Sequence, residues 1–474
     1  MKLTYRYKLR PTKEQNATMI EWLNLCRRQY NYRLGQRFRW WEETRTPINS
    51  CPLNVSVVPV EKIYQDIPEF RVQVRDGRKL GKDGLPITKK GDKHPNIVGG
   101  YVQWSTVQLG DLKNTKKLFP EYKKIHSQVL QDVINRVETA FDNFINPDKN
   151  GNRAGKPKFK GLHYYKSFTY SQLKNKHISD NQVDLSGIGK VDFVQHRPIP
   201  ALFVVKLGTI KLEADGWYLS LALEDKTVPI KEDEEICPTR ENSIAIDVGL
   251  ERFLTCDDGT YIEIPRFLRK ASYRLARLQR AKSKLPKGHK DKPKLTSAIA
   301  KLHQKIARQR QNFHFATAYW LFSKADVVFI ENLKLKNLIK RNKPKPALKD
   351  TPIRGQAASH NGNGGFLPNR QAQSSGMNKS WLDAGHSCFF QILEWVAWKL
   401  GKRVIKIDPW RTSQICCSCL NLVPKSLSDR WHSCPCGIEI NRDENSARLQ
   451  KSVGLGLDLR KIAPPRERSL PRTA

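Results

Sequence analysis

The chain has 474 residues, with 84 Lys and Arg against 46 Asp and Glu, and a formal net charge of +38. Such an excess repels itself in a compact fold unless an anion is bound, so nucleic acid is the expected partner, ahead of a ribosome-associated or membrane-surface role. No apolar run reaches membrane-spanning length and no secretory signal opens the chain, so we expect a cytoplasmic protein whose ten cysteines are thiols or metal ligands.

The N-terminal part predicts one strand followed by helices. Polar and apolar residues alternate from Leu3 to Leu9, as in a half-buried strand. Thr12 and Gln15 have capping-box spacing. A helix is predicted after them, with an apolar face at Met19, Leu23, Cys26 and Tyr30. Residues 51–110 are rich in Gly, Pro and charge and are interpreted as loops, whereas 125–144 has helical apolar spacing.

The pattern changes near residue 160 to short strands separated by turn residues. They are predicted at 168–170, 191–194, 202–206, 210–212 and 217–223. Residues 214–216 predict a hairpin between the last two. Together with the N-terminal strand these segments suggest a small barrel, into which the helices of 11–159 are inserted.

From residue 236 the pattern is typical of an α/β domain. Strands are predicted at 243–249, 327–331 and 404–407, two long basic helices between 266 and 323, and an aromatic-rich helix near 389–396. The basic helices are broken at 286–288 and are expected to pack as an antiparallel hairpin. Residues 341–380 have the composition of a mobile segment, and the tail after 456 is predicted to be unstructured.

Three carboxylates stand in similar settings. Asp247 and Glu331 end apolar strands, and Asp443 lies in a polar run after Ile440 that can open a helix. Each alone is often a turn or capping residue; nearby Asp257, Asp258, Asp408 and Glu444 are interpreted as turn or solvated residues. Together at a sheet edge, three acids repel one another unless they surround divalent cations. The set therefore predicts a two-metal site for phosphodiester hydrolysis. Carboxylate oxygens are hard ligands, so the expected ions are Mg²⁺ or Mn²⁺.

Close cysteine pairs predict a structural zinc site. The sequence reads Cys-Cys-Ser-Cys at 416–419 and Cys-Pro-Cys-Gly at 434–437, a zinc-ribbon arrangement. The predicted ligands are Cys416, Cys419, Cys434 and Cys436. The second pair is one residue short, so Cys417 or His432 stays open as a substitute. The scattered cysteines are interpreted as buried or half-buried thiols, at positions 26, 51, 237, 256 and 388.

These motifs, in this order, resemble the TnpB (OrfB) family encoded by bacterial insertion sequences and related to type V CRISPR effectors. The resemblance is carried by the segments around the three acids, the Thr412–Cys419 knuckle, the N-terminal 5–15 segment, the 128–132 helix and Gly-Lys-Pro-Lys-Phe-Lys at 155–160. It implies an RNA-guided DNA endonuclease of the bacterial cytoplasm and nucleoid. Its partners would be a guide RNA and target double-stranded DNA, with a short target-adjacent motif read by the protein itself. Asp247, Glu331 and Asp443 match the family's catalytic positions one by one.

The fold class expected from the resemblance is multidomain α+β. A wedge-like β-barrel would comprise 1–10 and 160–235, with a helical recognition domain at 11–159. A RuvC/RNase H-like nuclease domain would span 236–456 and carry a zinc-binding lobe at 411–440, with a disordered tail at 457–474.

Two other functions stay open. One is a guided DNA-binding repressor or accessory transposition protein without cleavage, which the intact acids argue against. The other is a strand-transferring transposase, which the zinc lobe and the long N-terminal half make less consistent. A transposon-borne gene and a CRISPR-associated gene would share the same catalytic domain.

Overall fold

The structure is a computed structural model. It describes residues 2–43, 97–98, 101–102, 104–148, 151–227, 236–333, 335–343, 345–346, 366–367, 369, 371–426 and 429–462. The chain divides into two compact units, Met1–Pro229 and Ile230–Ala474. Both contain helices and strands, and the predicted mixed α+β class is confirmed.

Antiparallel strands dominate the first unit. Within its described residues they are β1 (Lys2–Arg10), β2 (Ile97–Val98), β3 (Tyr101–Val102), β4 (Ser167–Tyr170), β5 (Ile178–Ser179), β6 (Gln182–Leu185), β7 (Gly189–Val194), β8 (Val204–Glu213) and β9 (Gly216–Glu224). Seven of them form one sheet in the order β4-β8-β9-β1-β7-β6-β5, while β2 and β3 pair separately. The N-terminal strand thus lies at the centre of the sheet, although the strands beside it come from more than 180 residues later.

Helices cover the apolar face of this sheet. They are α1 (Lys13–Glu43), α2 (Trp104–Gly110), α3 (Leu112–Leu118), a 3₁₀ turn (Pro120–Lys124) and α4 (Ser127–Ile145). The predicted capping box begins α1: Thr12 N donates to Gln15 Oε1 at 3.0 Å, and Gln15 N to Thr12 Oγ1 at 3.2 Å. Apolar side chains of α1, α4 and the sheet share one buried core, including Met19, Val133 and Phe168.

Parts of this unit differ from the sequence prediction. The strands predicted at 202–206 and 210–212 are one continuous strand, β8, because a register shift between Val205 and Leu207 absorbs the irregular apolar spacing. Among the described residues no pairing joins β4 to β5, so the small barrel predicted from the sequence is a half-barrel sheet there. Residues 104–110 are helical, so the loop prediction is wrong there; residues 51–96 lie outside the described residues.

The second unit is built on a mixed five-stranded sheet. Its strands are β10 (Ser243–Val248), β11 (Arg252–Cys256), β12 (Tyr261–Glu263), β13 (Val327–Glu331) and, after two short pairing segments β14 (Lys345–Pro346) and β15 (Phe366–Leu367), β16 (Arg403–Ile407). The order is β12-β11-β10-β13-β16. β10, β13 and β16 run parallel, whereas β11 and β12 are antiparallel to their neighbours. A separate hairpin consists of β17 (Trp431–Ser433) and β18 (Glu439–Asn441).

The described helices of this unit are α5 (Phe267–Lys284), α6 (Lys292–Lys324), α7 (Leu335–Leu338), α8 (Gln371–Ala384), α9 (His386–Leu400), α10 (Arg442–Gly454) and α11 (Leu459–Ile462). The predicted basic hairpin of α5 and α6 is present, broken around Gly288. Phe253 of β11 lies against the rings of His314 and His386, at centroid distances of 5.5 and 4.8 Å, which anchors α6 and α9 to the sheet.

Two predictions of irregular structure fail in part. Residues 371–380 belong to α8, whose Asp383 accepts hydrogen bonds from Leu268 N and Arg269 N at the start of α5. Residues 459–462 form α11, where Leu459 is buried against Ile415 and Leu449. The remainder of both predictions, at 347–365 and 463–474, lies outside the described residues.

Candidate functional site

Asp247 and Glu331 lie side by side at the ends of two neighbouring parallel strands. The register pairs Ile246 of β10 with Ile330 of β13, so the next residue on each strand is one of these acids. In the sheet, β11 lies on one side of β10 and β13 lies on the other. The order in which strands are added therefore changes direction at the boundary between β10 and β13. Ligands of open α/β sheets bind outside the strand ends at such a point.

Asp443 reaches the same place from the start of α10. Asn441 caps this helix by accepting a hydrogen bond from Asp443 N at 2.9 Å. The next residue after β10, Gly249, shows how close the third acid comes: a Cβ at Gly249 would lie 3.8 Å from Asp443 Oδ2. The structure therefore brings the three predicted acids together.

The electrostatics of the site reflect this crowding. Burial raises the pKa of Asp247 well above its usual value, and the negative charges of Glu331 and Asp443 raise it further. Burial also raises the pKa of Glu331, although hydrogen bonds from Thr412 and Gln450 oppose the shift. Neither Asp247 nor Glu331 forms an ion pair with Lys or Arg in the described part of the chain, whereas Asp443 lies 3.3 Å from Arg442 Nη2.

Two neutral side chains fix the orientation of Glu331. Thr412 Oγ1 donates to Glu331 Oε1 at 2.5 Å, and Gln450 Nε2 donates to the same oxygen at 3.1 Å. Both donors therefore use one oxygen of the carboxylate and leave Oε2 to other partners. Neither Thr412 nor Gln450 was predicted from the sequence. The only available signal was the position of each near a motif, Thr412 before the cysteine knuckle and Gln450 two turns after Asp443.

The other acids near the site are occupied by basic partners. Asp257 pairs with Lys451 at 2.9 Å, Asp258 with Lys324 at 3.1 Å, Glu444 with Arg448 at 2.6 Å, and Asp408 with Arg460. Asp257 lies in the turn after β11, as the prediction of a turn or solvated residue allows, and its mostly buried carboxylate accepts from Ala245 N. These four acids therefore differ from Asp247 and Glu331, because each of the four has a basic partner.

The four predicted zinc ligands form a single cluster. Among the described residues they are the one group of three or more potential metal ligands whose atoms all lie within 4.8 Å of one another; the three acids are spread more widely. Cys416 Sγ lies 3.7 Å from Cys436 Sγ, and Cys419 Sγ 3.4 Å from Cys434 Sγ. Thiolates on a tetrahedral Zn²⁺ are expected about 3.8 Å apart, given Zn–S bonds of about 2.3 Å. The four thiols therefore fit zinc.

The short second knuckle closes through a glycine. Gly437 has a φ of +91°, which glycine adopts without strain. Its N–H donates to Cys434 O at 2.9 Å, so the chain turns tightly directly after Cys436. Cys417 and His432, the alternative ligands, are not in the cluster. Cys417 packs against the apolar core that contains Ile415 and Leu449, and His432 Nδ1 faces Lys425. Of the scattered cysteines, Cys26 and Cys256 are buried as predicted, whereas Cys237 and Cys388 are exposed; Cys51 lies outside the described residues.

The cysteine lobe is attached to the acids by side chains on both sides. Asn445, two residues after Asp443, is fully buried; its Nδ2 donates to Ile415 O at 2.8 Å and its Oδ1 accepts from Cys417 N at 3.0 Å. Thr412, four residues before the first cysteine, holds Glu331. The position of the lobe therefore helps to set the position of two of the acids.

Three family models match separate parts of the chain. "Probable transposase" of the OrfB type matches residues 227–342, a "Cas12f1-like, TNB domain" matches 386–449, and an OrfB-type "Helix-turn-helix domain" matches 1–46. The matched segments include Asp247, Glu331, Asp443 and all four clustered cysteines. The chain therefore resembles the OrfB (TnpB) family in three separate segments. Within 1–46 the described residues form one strand and one helix.

Curated relatives agree with the family. A "Putative RNA-guided DNA endonuclease" of Streptomyces pristinaespiralis is 25% identical over 75% of this chain and 78% of its own length. "Putative RNA-guided DNA endonuclease InsQ" of Escherichia coli is 26% identical over 69% of this chain and 74% of its own length. A solved Cas12f1–sgRNA–target DNA complex is similar at 15% identity and a TM-score of 0.28, covering 94% of this chain and 98% of that one. Among the described residues, no helix is both long and apolar enough to cross a membrane.

Proposed function

We propose that this chain is an OrfB-type, RNA-guided DNA endonuclease that hydrolyses phosphodiester bonds at Asp247, Glu331 and Asp443. The names of the Streptomyces and Escherichia relatives support the guided-nuclease activity. The proposed partners are a guide RNA and target double-stranded DNA beside a short motif read by the protein. The proposed place of action is the bacterial cytoplasm and nucleoid.

One observation carries the assignment of the site. In a chain with 84 basic residues, Asp247 and Glu331 are half-buried neighbours without a Lys or Arg partner among the described residues. Burying two carboxylates side by side without an ion pair is unfavourable, and burial raises the pKa of both although Arg442 and Ser446 oppose the shift at Asp247. Divalent cations would remove that cost, and hard carboxylate oxygens suit Mg²⁺ or Mn²⁺. Two such ions held about 4 Å apart would suit an in-line displacement at a phosphodiester.

The topology supports a RuvC/RNase H-like assignment for the second unit. Three strands in antiparallel succession, β10 to β12, are followed by the parallel β13 and β16, and Asp247 and Glu331 lie at strand ends. We propose boundaries of 236–456 for this domain and 411–440 for its zinc-binding lobe. In the first unit, we propose a wedge domain at 1–10 and 160–235 and a recognition domain at 11–159.

Each residue of the proposed site has a separate task. Bound divalent cations would stabilise the charge that develops on the attacked phosphate. Asp247 and Glu331 would hold them from the rigid strand ends, and Asp443 would close the set from the capped start of α10. Thr412 and Gln450 would keep Glu331 in one orientation, since both donate to the same oxygen. The positively charged surface would hold the RNA–DNA heteroduplex through its backbone.

The test is a cleavage assay on the protein purified with its copurifying RNA, whose sequencing defines the DNA target. Asp247→Ala should bind the target in an RNA-dependent manner but lose Mg²⁺-dependent cutting. The matched control is Asp258→Ala, an exposed acid paired with Lys324, which should cut normally. Full cutting by purified Asp247→Ala would remove this residue from the mechanism. Guided binding without cutting by the wild type would instead favour the repressor or accessory-protein function.

A further inference from the structure

A positively charged loop projects from the first unit between α4 and β4. This segment, residues 151–166, which we call the basic loop, contains Arg153, Lys156, Lys158, Lys160 and Lys166. No Asp or Glu occurs anywhere from residue 149 to 179. Of the five cations, all but Lys156 lack an acidic partner within the described residues. The loop is therefore a local concentration of uncompensated positive charge.

The backbone of the loop is held at both ends. Ala154 N donates to Asn143 O of α4 at 2.9 Å. Asn31 of α1 pairs with the backbone of Lys160 in both directions, accepting from its N–H at 2.7 Å and donating to its carbonyl at 2.9 Å. Tyr165, at the end of the loop, is buried against Tyr30. These contacts give the loop a defined conformation in the free protein.

Apolar side chains project outward from this fixed backbone. Tyr164 is 79% exposed, Leu162 60% and Phe159 57%, although the Phe159 ring also packs edge-on against Phe38. His163 has a φ of +70°, which non-glycine residues rarely adopt, and Tyr164 N donates to Gly161 O at 3.1 Å, so a tight turn presents the Tyr164 ring to solvent. Its buried neighbour Tyr165 shows that this exposure is specific to one of two adjacent rings. Large apolar side chains held outward on a rigid loop are typical of an interaction surface.

We infer that the basic loop binds unpaired bases of the guide RNA, with Tyr164 as a stacking platform and Arg153, Lys158 and Lys160 as phosphate contacts. Rings interleaved with cations are the chemistry by which proteins hold single-stranded nucleic acid. In a duplex the base faces are stacked on one another, so a protruding ring is useful only where bases are unpaired. This inference rests on the proposed function, because the guide RNA is the nucleic acid that the protein carries before it meets DNA.

Stacking is tested at Tyr164. The probe is a short oligouridine, which has unpaired bases and no secondary structure, measured by fluorescence anisotropy on the full chain freed of its own RNA. Tyr164→Ala should weaken binding about 10-fold, as expected for loss of one stacked base, whereas Tyr164→Phe should bind as the wild type does. Phe119→Ala, which removes another exposed ring of the same unit, is the matched control and should change nothing.

Charge is tested separately. The double variant Arg153→Gln with Lys158→Gln should reduce the slope of log affinity against log salt by about 1.4, since each single-strand phosphate contact contributes roughly 0.7. Lys113→Gln with Lys117→Gln, two exposed lysines of α3, is the control of equal charge. Photocrosslinking with 4-thiouridine in the oligonucleotide should label the peptide that contains Tyr164.

The outcomes separate this inference from the proposed function. Unchanged affinity of Tyr164→Ala, equal effects of Phe and Ala at position 164, or a larger loss for duplex than for oligouridine would each overturn the stacking role. None of those three results would contradict the proposed function, which RNA-dependent cleavage by the wild type tests separately. If the wild-type protein carries no RNA and binds none, the proposed function fails together with this inference.

Discussion

At the scale of single residues, the arrangement of Asp247 and Glu331 shows how the backbone imposes an electrostatic cost. Parallel pairing of β10 and β13 fixes the two carboxylates next to each other, and burial removes the water that would screen them. Hydrogen bonds from Thr412 and Gln450 offset part of this cost at Glu331, since they favour its charged form. The remaining cost would favour the cation binding that the proposed function requires.

Removal of the Asp247 charge should stabilise the metal-free fold. Because the pKa of Asp247 is raised in the folded state, the wild type loses stability as the pH rises through that pKa. Asp247→Asn carries no such charge, so in chelator its Tm should exceed that of the wild type by ~3 °C at about pH 8. The difference should shrink towards acidic pH, where Asp247 is protonated. Added Mg²⁺ should raise the Tm of the wild type more than that of Asp247→Asn.

Asp257→Asn is the control for that comparison. Its carboxylate is bonded to Lys451 and to the N–H of Ala245, so the variant should lose stability while retaining the Mg²⁺ response of the wild type. If the Tm of Asp247→Asn were at or below that of the wild type at every pH, the charge of Asp247 would not destabilise the metal-free fold.

Loss of the hydroxyl at Thr412 should weaken the use of metal without unfolding the protein. Thr412→Val keeps the shape but removes the donor to Glu331 Oε1, so the carboxylate can rotate. We expect a loss of about 10- to 100-fold in cleavage rate at limiting Mg²⁺, partly recovered at high Mg²⁺. Titration of cleavage against Mg²⁺ measures it, and Thr412→Ser should restore the wild-type curve. The same midpoint for Thr412→Val and wild type would contradict a positioning role.

At the scale of elements, the cysteine lobe and the acidic site form one structural system. The hairpin β17–β18 and the 416–419 knuckle bring four thiols within sulfur–sulfur distances suited to zinc. In this cluster a backbone hydrogen bond from Asn421 lowers the pKa of Cys419 to about 7, whereas the pKa of Cys416 and that of Cys434 are raised, so zinc would have to displace protons from part of the cluster. Asn445 then connects this lobe to the helix that carries Asp443.

Zinc removal should therefore damage both stability and catalysis. Cys434→Ser should lower the zinc content from about one per chain to near zero, because a structural site needs its four ligands. It should also lower the Tm and reduce cleavage, since the anchor of Asn445 is lost. Metal analysis by mass spectrometry gives the stoichiometry. Cys417→Ser is the matched control and should retain zinc, because Cys417 lies outside the cluster; zinc loss in that variant alone would overturn the ligand set.

At the scale of the whole molecule, charge is distributed along entire elements. Helices α5 and α6 contain no Asp or Glu over their whole length, although they carry fourteen Lys and Arg between them. The basic loop of the first unit repeats this composition. Charge in such long uninterrupted stretches matches the continuous negative charge of a nucleic-acid backbone better than it matches a small anionic ligand.

RNA binding should accordingly depend steeply on salt. Raising monovalent salt from about 50 mM to about 200 mM should weaken affinity for the copurified RNA roughly 10³-fold or more, because many condensed counterions are released on binding. Filter binding over a salt series measures the slope, with a neutral osmolyte at equal osmolality as control. Affinity that hardly changed with salt would contradict backbone recognition by the basic surface.

Local signals in the sequence were sufficient wherever a short-range pattern dictates structure. The Thr12–Gln15 capping box, the 214–216 hairpin and the two acid-ending strands are all present, because each depends on neighbouring residues alone. The prediction failed at 371–380, where a polar composition suggested a mobile segment. There the helix α8 is held by a distant contact, the bonding of Asp383 to the start of α5, which no local pattern reveals.

By itself the sequence determined the charge, the four thiols and the identity of the three acids, since these follow from residue type and spacing. Only the tertiary structure decided that Asp247 and Glu331 lack a basic partner among the described residues while Asp257, Asp258 and Glu444 have one. It also decided that Thr412 and Gln450 both donate hydrogen bonds to Glu331, which lies 81 residues before Thr412 and 119 residues before Gln450. The physical reason is that pairing between charges depends on distance in space, which the register of β10 and β13 and the docking of α10 establish.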